Sequence, residues 1–205
     1  MALEKYCHMP QAQECKTLPV LVKTRKMSRN RGRRLLAHAM NMLGVRSGIE
    51  IGTRRGDSAL HWCKAIPGLK LTCVDPYVPY YQDSDADSVE KIYKEVQHNI
   101  AQSGYNIDLC RMSSHEAVSR FADESVDFVY IDGDHRFDAV MMDLLQYVPK
   151  VKRNGIIVLH DYFRGWECGV VDAVDSYTRN HAVNPWYVTY DWSPTAFWQR
   201  SAEHA

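Results

Sequence analysis

Gly48-Ile49-Glu50-Ile51-Gly52-Thr53-Arg54-Arg55-Gly56-Asp57-Ser58 joins a short apolar run to a glycine-punctuated turn and then to the start of a helical pattern. The run reads as a buried strand. Gly52 and Gly56 permit positive φ and let the backbone approach a ligand with no side chain intervening. Asp57 and Ser58 follow where a side-chain oxygen can cap the next helix. A strand that feeds such a turn opens a βα unit, and the chain on either side repeats the arrangement.

Further apolar runs at 69–74, 108–110, 126–131 and 156–159 read as strands, with helical patterns between them at 58–65, 89–102, 115–121 and 137–147. Alternation of this kind predicts a parallel sheet covered by helices on both faces. Upstream, Leu35, Leu36, Ala39, Met40 and Leu43 share one face of a helix over 29–43, with Ser28 as its cap and Gly44 as its stop. Asp87, three residues before Glu90, reads as a near capping box for the helix at 89–102, and Gly104 follows its last turn. Beyond a helix over 170–179, the runs 186–190 and 195–199 flank the turn Asp191-Trp192-Ser193-Pro194 and predict an antiparallel hairpin. The expected fold is therefore α/β, Rossmann-like and doubly wound, with a mostly parallel seven-stranded sheet and a C-terminal antiparallel hairpin.

With 205 residues and 45% apolar composition the chain can bury one sizeable core, so one domain over 28–205 is expected. Residues 1–27 lack periodicity and carry Pro10 and Pro19, which suggests an arm that covers the domain or contacts a second copy in a homo-oligomer. The 25 basic and 25 acidic residues cancel, so no global field points to nucleic acid or an anionic membrane. Six cysteines without a CxxC pair read as reduced thiols rather than a disulfide frame or zinc site. No apolar stretch approaches the roughly 20 residues that span a bilayer, and the N-terminus lacks a signal peptide's apolar segment, so the expected location is cytoplasmic.

The turn's spacing is neither the GxGxxG of dinucleotide binders nor the GxxxxGK[ST] phosphate loop, which favours a cofactor without phosphates. Asp75 closes the second strand, where a carboxylate can accept hydrogen bonds from both hydroxyls of a ribose, as adenosine would offer. The same residues also suit a plain strand-to-helix corner. Asp132 follows the fourth strand, and His160 and Asp161 follow the fifth. Neighbouring parallel strands end side by side, so these groups can converge on one ion. Carboxylates suit Mg²⁺, and an imidazole shifts the preference toward Mn²⁺ or Fe²⁺. Helix capping and internal hydrogen bonding are equally compatible uses. His135, with an ordinary pKa of about 6.5, is suited to accept a proton near neutrality.

Four motifs occur in order: Ile49-Glu50-Ile51-Gly52-Thr53-Arg54-Arg55-Gly56-Asp57-Ser58, Val74-Asp75-Pro76, Val129-Tyr130-Ile131-Asp132-Gly133-Asp134-His135, and Gly155-Ile156-Ile157-Val158-Leu159-His160-Asp161-Tyr162. Together they resemble the successive motifs of class I S-adenosylmethionine-dependent methyltransferases. The branch they resemble most is the small O-methyltransferase-like one that includes macrolide sugar O-methyltransferases and is distantly similar to catechol O-methyltransferase. The resemblance runs over about 48–200. It implies that Glu50 and Gly52 face the methionine part of the cofactor, with Thr53 and Gly56 completing the turn, Asp75 on the ribose, Ser114 at the adenine, and Asp132 bordering cofactor and metal alike. It also implies Asp132, His160 and Asp161 as metal ligands and His135 as catalytic base beside Asp132. Two positions depart from the family pattern: Met112 stands where a glycine is usual before the serine, and His160 where the metal-dependent members carry Asp or Asn.

The activity so implied is methyl transfer to a hydroxyl of a small acceptor, sugar-like or natural-product-like, assisted by Mg²⁺ or another divalent ion. Tyr77, Tyr80 and Tyr81, with Trp166, are candidate walls of the acceptor pocket, and packing of a long loop explains the tyrosines equally well. Two alternatives stay open: an RNA or protein substrate held by the basic segment 23–34, and a cofactor-binding protein without catalysis.

Overall fold

The computed structural model describes residues 20–23, 31–79, 85–165, 168–190 and 192–201. In chain order the elements are β1 (Val20–Lys23), α1 (Arg31–Met42), β2 (Ser47–Ile51), α2 (Asp57–Ala65), β3 (Lys70–Val74), α3 (Ala86–Ser103), β4 (Asn106–Cys110), α4 (Ser114–Ala117), β5 (Val126–Ile131), α5 (Phe137–Tyr147), β6 (Val151–Leu159), α6 (Val170–Asn180), β7 (Tyr187–Tyr190) and β8 (Ala196–Gln199). They build one eight-stranded sheet in the order β1-β7-β8-β6-β5-β2-β3-β4. The seven expected strands are all present. The eighth is β1, from within the segment read as an arm; it pairs in parallel with β7 at the sheet edge. β8 runs antiparallel to both β6 and β7, and every other pairing is parallel.

Alternation along the strands sends side chains to two cores. Ile49, Ile51, Val129, Ile131, Ile157 and Leu159 pack beneath α5 and α6. Phe128, Tyr130, Ile156 and Val158 pack with Leu36, Ala37 and Met40 of α1 and with Ala59, Trp62 and Cys63 of α2. Trp62 is fully buried and meets Tyr130 edge-on, with ring centroids 5.2 Å apart. The even-numbered face of β5 and β6 thus looks toward α1 and α2, which determines where His160 points one residue beyond β6.

Two helix starts differ from expectation. Asp85, not Asp87, caps α3 by accepting from the Ser88 N–H, and no Asp87–Glu90 box forms. At α2 the N-cap is Gly56 itself, at φ 78°, with no side-chain cap; Ser58 turns inward instead. A capping box does form at α4, between Ser113 and Glu116.

The chain marches outward from β2 to β3 and β4, then returns to the other side of β2 as β5, so the reversal of strand order lies between β2 and β5. Ligands bind beyond the carboxyl ends at such a point. The ends there are nearly in contact: the Asp132 N–H donates to the Ile51 carbonyl and the Gly52 N–H to the Val74 carbonyl. Gly52 has φ 85°, and a Cβ on it would stand 2.2 Å from the Asp132 carbonyl oxygen. Gly52→Ala combines left-handed backbone strain with a clash against main chain, so a loss of at least about 2 kcal/mol is expected in urea denaturation. An unchanged midpoint would mean that β2 and β5 end farther apart.

Candidate active site

Strand register brings the predicted groups to one level. Ile51 pairs with Val74 on one side and Ile131 on the other, and Ile131 pairs with Leu159. Gly52, Asp75, Asp132 and His160 are the next residues of these four strands, so they form a row along the carboxyl edge.

Glu50 lies one step below that row and is completely buried. Its Oε1 accepts from the Ser58 hydroxyl at 3.0 Å, while Oε2 is buried with no partner. Burial, and after it the nearby Asp132 carboxylate, push its pKa up to about 8 against the opposing Ser58 hydrogen bond. A buried acid with an orphaned oxygen is suited to receive a cationic donor.

Asp75 is engaged with the turn itself. One carboxylate oxygen accepts from the Thr53 and Arg54 N–H groups at 3.0 and 2.8 Å, and the other from the Tyr77 N–H at 2.8 Å. The Tyr77 hydroxyl donates to the Arg54 carbonyl, and both Arg54 and Tyr77 have positive φ. Tyr77 is therefore a buried strut of the glycine turn and packs on Tyr93, rather than walling an acceptor pocket. Thr53 is buried and Gly56 starts α2. Ser114, at the start of α4, lies beside the buried Asp143, whose pKa burial pushes up to about 6. The Ser114 carbonyl accepts from the Tyr147 hydroxyl. Tyr80, Tyr81 and Trp166 lie outside the described residues.

At the β5 and β6 ends, Asp132, His135 and Asp161 bring one ligand atom each to within 4.8 Å of one another. His135 Nε2 stands 3.6 Å from Asp132 Oδ1 and 3.6 Å from Asp161 Oδ2, buried and without a hydrogen bond. Asp161 has φ 55°, a conformation costly for a side-chain-bearing residue. Its Oδ1 accepts from the Ser193 hydroxyl at 2.5 Å. Tyr130 donates its hydroxyl to Asp132 Oδ2 at 2.8 Å. Burial would raise Asp132, but His135 and His160 outweigh it and hold the carboxyl well below the usual range. Asp132 in turn raises His135.

His160 departs from the expected ligand set. Its Nδ1 lies 3.3 Å from Asp132 Oδ1 and 3.1 Å from Asp161 Oδ1, but its Nε2 meets the Arg33 guanidinium at 2.8 Å. Arginine offers only donors, so Nε2 accepts from it only in the Nδ1–H tautomer, and Nδ1, like His135 Nε2, is buried with no hydrogen bond. A metal on Nδ1 would strand the proton at Nε2, against a guanidinium. Burial lowers the ring's pKa and the two carboxylates raise it past that, toward the imidazolium. Both imidazoles thus face both carboxylates, His135 through Nε2 and His160 through Nδ1.

Sequence reasoning missed Arg33, Tyr130 and Ser193. Tyr130 was legible, since period-two alternation places it on the face of Glu50 and His160. Arg33 and Ser193 approach through tertiary packing and leave no local signal. Arg33 also divides the basic segment: it points inward at His160, whereas Arg34 is exposed, and 24–30 lie outside the described residues. Among the described residues Cys63, Cys73, Cys110 and Cys168 are free thiols, and no helix is long and apolar enough to cross a membrane.

A family model described as a methyltransferase domain matches residues 49–162. A curated protein of Sinorhizobium fredii, itself uncharacterized, is 28% identical over 128 residues, which are 62% of this chain and 14% of that protein. The chain thus spans only a small part of that relative. Among solved structures, the O-methyltransferase from Bacillus cereus in complex with SAH superposes with a TM-score of 0.62 at 15% identity, covering 85% of this chain and 83% of that one. The O-methyltransferase TomG from Streptomyces achromogenes, in complex with SAM, gives 0.60 at 13% identity over 86% and 83%.

The buried Glu50 has a sign-definite effect on stability. The folded state keeps its proton up to about 8, whereas an unfolded glutamate loses it near 4.5, so stability from this group falls as pH rises between those values. Glu50→Gln keeps the Ser58 bond and has no charge to bury. Its stability relative to wild type should climb across that window by up to ~1.4 kcal/mol per pH unit, read as urea midpoints at several pH values. Parallel curves would mean that Glu50 titrates normally.

Proposed function

Because this chain belongs to the methyltransferase-domain family, we propose that it transfers a methyl group from S-adenosylmethionine to a hydroxyl of a small acceptor. The observation that carries this reading is the unpartnered Oε2 of Glu50 beneath the Gly52 turn, a few residues of strand away from the Asp132–His135–Asp161 cluster. A methionine-derived cofactor brings an α-ammonium, the kind of donor that a buried orphan carboxyl lacks. Its sulfonium leaves readily, so the protein has to align the acceptor and remove the acceptor's proton.

Gly52 and the strut formed by Asp75 and Tyr77 hold the turn in shape for close backbone approach. Asp75 still has lone pairs beyond its three N–H partners, which a ribose hydroxyl can use. Ser114 and the start of α4 border the same carboxyl edge, on the adenine side of this reading.

The donor set Asp132, His135 and Asp161 fits a divalent ion such as Mg²⁺ or Mn²⁺: two carboxylates and an imidazole nitrogen left buried without a hydrogen bond. Such an ion, when bound, lowers the pKa of a coordinated hydroxyl. In that state His135 Nε2 serves as a ligand rather than as the base that the resemblance implies. Asp132 and Asp161 stay ionised, ready for the ion, because His135 and His160 at the first and His160 and Ser193 at the second hold them below the usual carboxylate range against the upward push of burial. Ser193 and Tyr130 fix their free oxygens.

Saturating S-adenosylhomocysteine at a hundredfold its Kd should raise the melting temperature by roughly 5–10 °C. Glu50→Gln should lose most of that shift, and no shift in wild type would remove the cofactor reading. In turnover assays with hydroxylated acceptors, a chelator and His135→Ala should each abolish most methyl transfer while leaving the thermal shift intact. Full turnover under chelator would remove the metal and return His135 to the role of base.

A further inference from the structure

Arg33 sits on the first turn of α1, far in sequence from the groups it meets. Gly32 beside it has no room for a side chain: a Cβ there would lie 2.5 Å from Thr189 Cβ, so α1 starts pressed against β7. Leu36, Ala37 and Met40 then anchor the helix in the core under β5 and β6. This packing carries the Arg33 guanidinium over the Tyr130 ring, 5.8 Å from its centroid. Tyr130 pairs in register with Glu50 of the neighbouring strand, and such strands lie roughly 4.8 Å apart. Both side chains turn to the α1–α2 side, Tyr130 against Trp62 and Glu50 onto Ser58. A fixed cation therefore stands over the neighbour of the buried carboxyl whose Oε2 has no partner. Its charge is felt at Glu50, where burial raises the pKa and Arg33 pulls against that rise.

We propose that Arg33 binds the α-carboxylate of the methionine-derived cofactor, so that α1 and β2 clasp the two opposite charges of its amino-acid end. This rests on the cofactor reading above. An α-amino acid carries ammonium and carboxylate on one carbon, so a ligand that brings its ammonium to Glu50 Oε2 also brings an anion into the space beside it. Asp75 and Asp132 act on the same spot, and an anion left uncompensated among carboxylates is costly. Main-chain donors of the carboxyl edge do not relieve it. The Gly52 N–H donates to the Val74 carbonyl, those of Thr53 and Arg54 to Asp75, and that of Gly56 to the Thr53 carbonyl. The Asp132 and His160 N–H groups donate to the Ile51 and Ile131 carbonyls. The carboxylate therefore needs a side-chain cation. Arg33 offers a planar fork of donors matched to a carboxylate, and its contacts with Tyr130 and with His160 Nε2, the latter at 2.8 Å, fix where that fork lies.

Calorimetric titration of the full-length protein with three probes separates the two charges. S-adenosylhomocysteine carries both, its decarboxylated analogue keeps only the ammonium, and methylthioadenosine has neither. Wild type should bind S-adenosylhomocysteine about 10- to 100-fold more tightly than the decarboxylated analogue, the range that a charge-assisted hydrogen bond supports. In Arg33→Gln, whose amide can still donate to His160, that preference should vanish, with the decarboxylated analogue and methylthioadenosine bound as in wild type. Arg33→Lys keeps the charge without the planar fork and should restore part of the preference. Glu50→Gln should weaken both ammonium-bearing probes together and leave methylthioadenosine unchanged. Equal wild-type affinity for S-adenosylhomocysteine and its decarboxylated analogue would overturn the role of Arg33 with no variant needed. An Arg33→Gln that keeps the wild-type preference, or weakens all three probes alike, would overturn it too. Failure of wild type to bind any of the three would instead overturn the cofactor reading.

Discussion

A Cβ on Gly52 would stand 2.2 Å from the Asp132 carbonyl oxygen, and the geometry of the site follows from that near-contact between the ends of β2 and β5. Two parallel strands can end this close only if one of them leaves with no side chain and with φ in the left-handed region. Their approach sets the glycine turn beside Asp132, and parallel register then levels Asp75 and His160 with them. Cofactor turn and acidic cluster are therefore parts of one edge.

Charge at this edge is arranged in alternating signs. Asp132 and Asp161 would repel each other, yet both are held ionised by the imidazoles around them and by hydroxyls from Tyr130 and Ser193. Behind the imidazole of His160 stands Arg33, whose charge is spread over the face of Tyr130. Glu50, one step deeper, has no such partner on Oε2 and stays protonated up to about pH 8. The free protein thus keeps one acid neutral and two ionised within a short span, the division expected where one carboxyl awaits a cationic group and two await an ion.

Strands, helices and their order were legible because hydrophobic period and glycine positions are local properties. The predicted helix at 137–147 coincides with α5, and the strand at 126–131 with β5. Where several local signals compete, sequence reading chose the wrong partner: Asp85 rather than Asp87 caps α3, and Ser58 serves Glu50 instead of capping α2. Of the two uses open to Tyr77, pocket wall and loop packing, the structure shows packing: its buried hydroxyl donates to the Arg54 carbonyl.

By itself the sequence determined the doubly wound sheet, the glycine turn and the presence of Glu50, Asp75, Asp132, His135, His160 and Asp161 at strand ends, since strand periodicity and register oblige them to meet there. It could not decide which nitrogen faces which oxygen. The meetings of Arg33 with His160 and of Ser193 with Asp161 belong to α1 and the β7–β8 turn, elements remote in sequence from the strand ends they reach. Which polar groups meet is a property of assembled neighbours, and only the folded chain places the Arg33 guanidinium against the His160 ring.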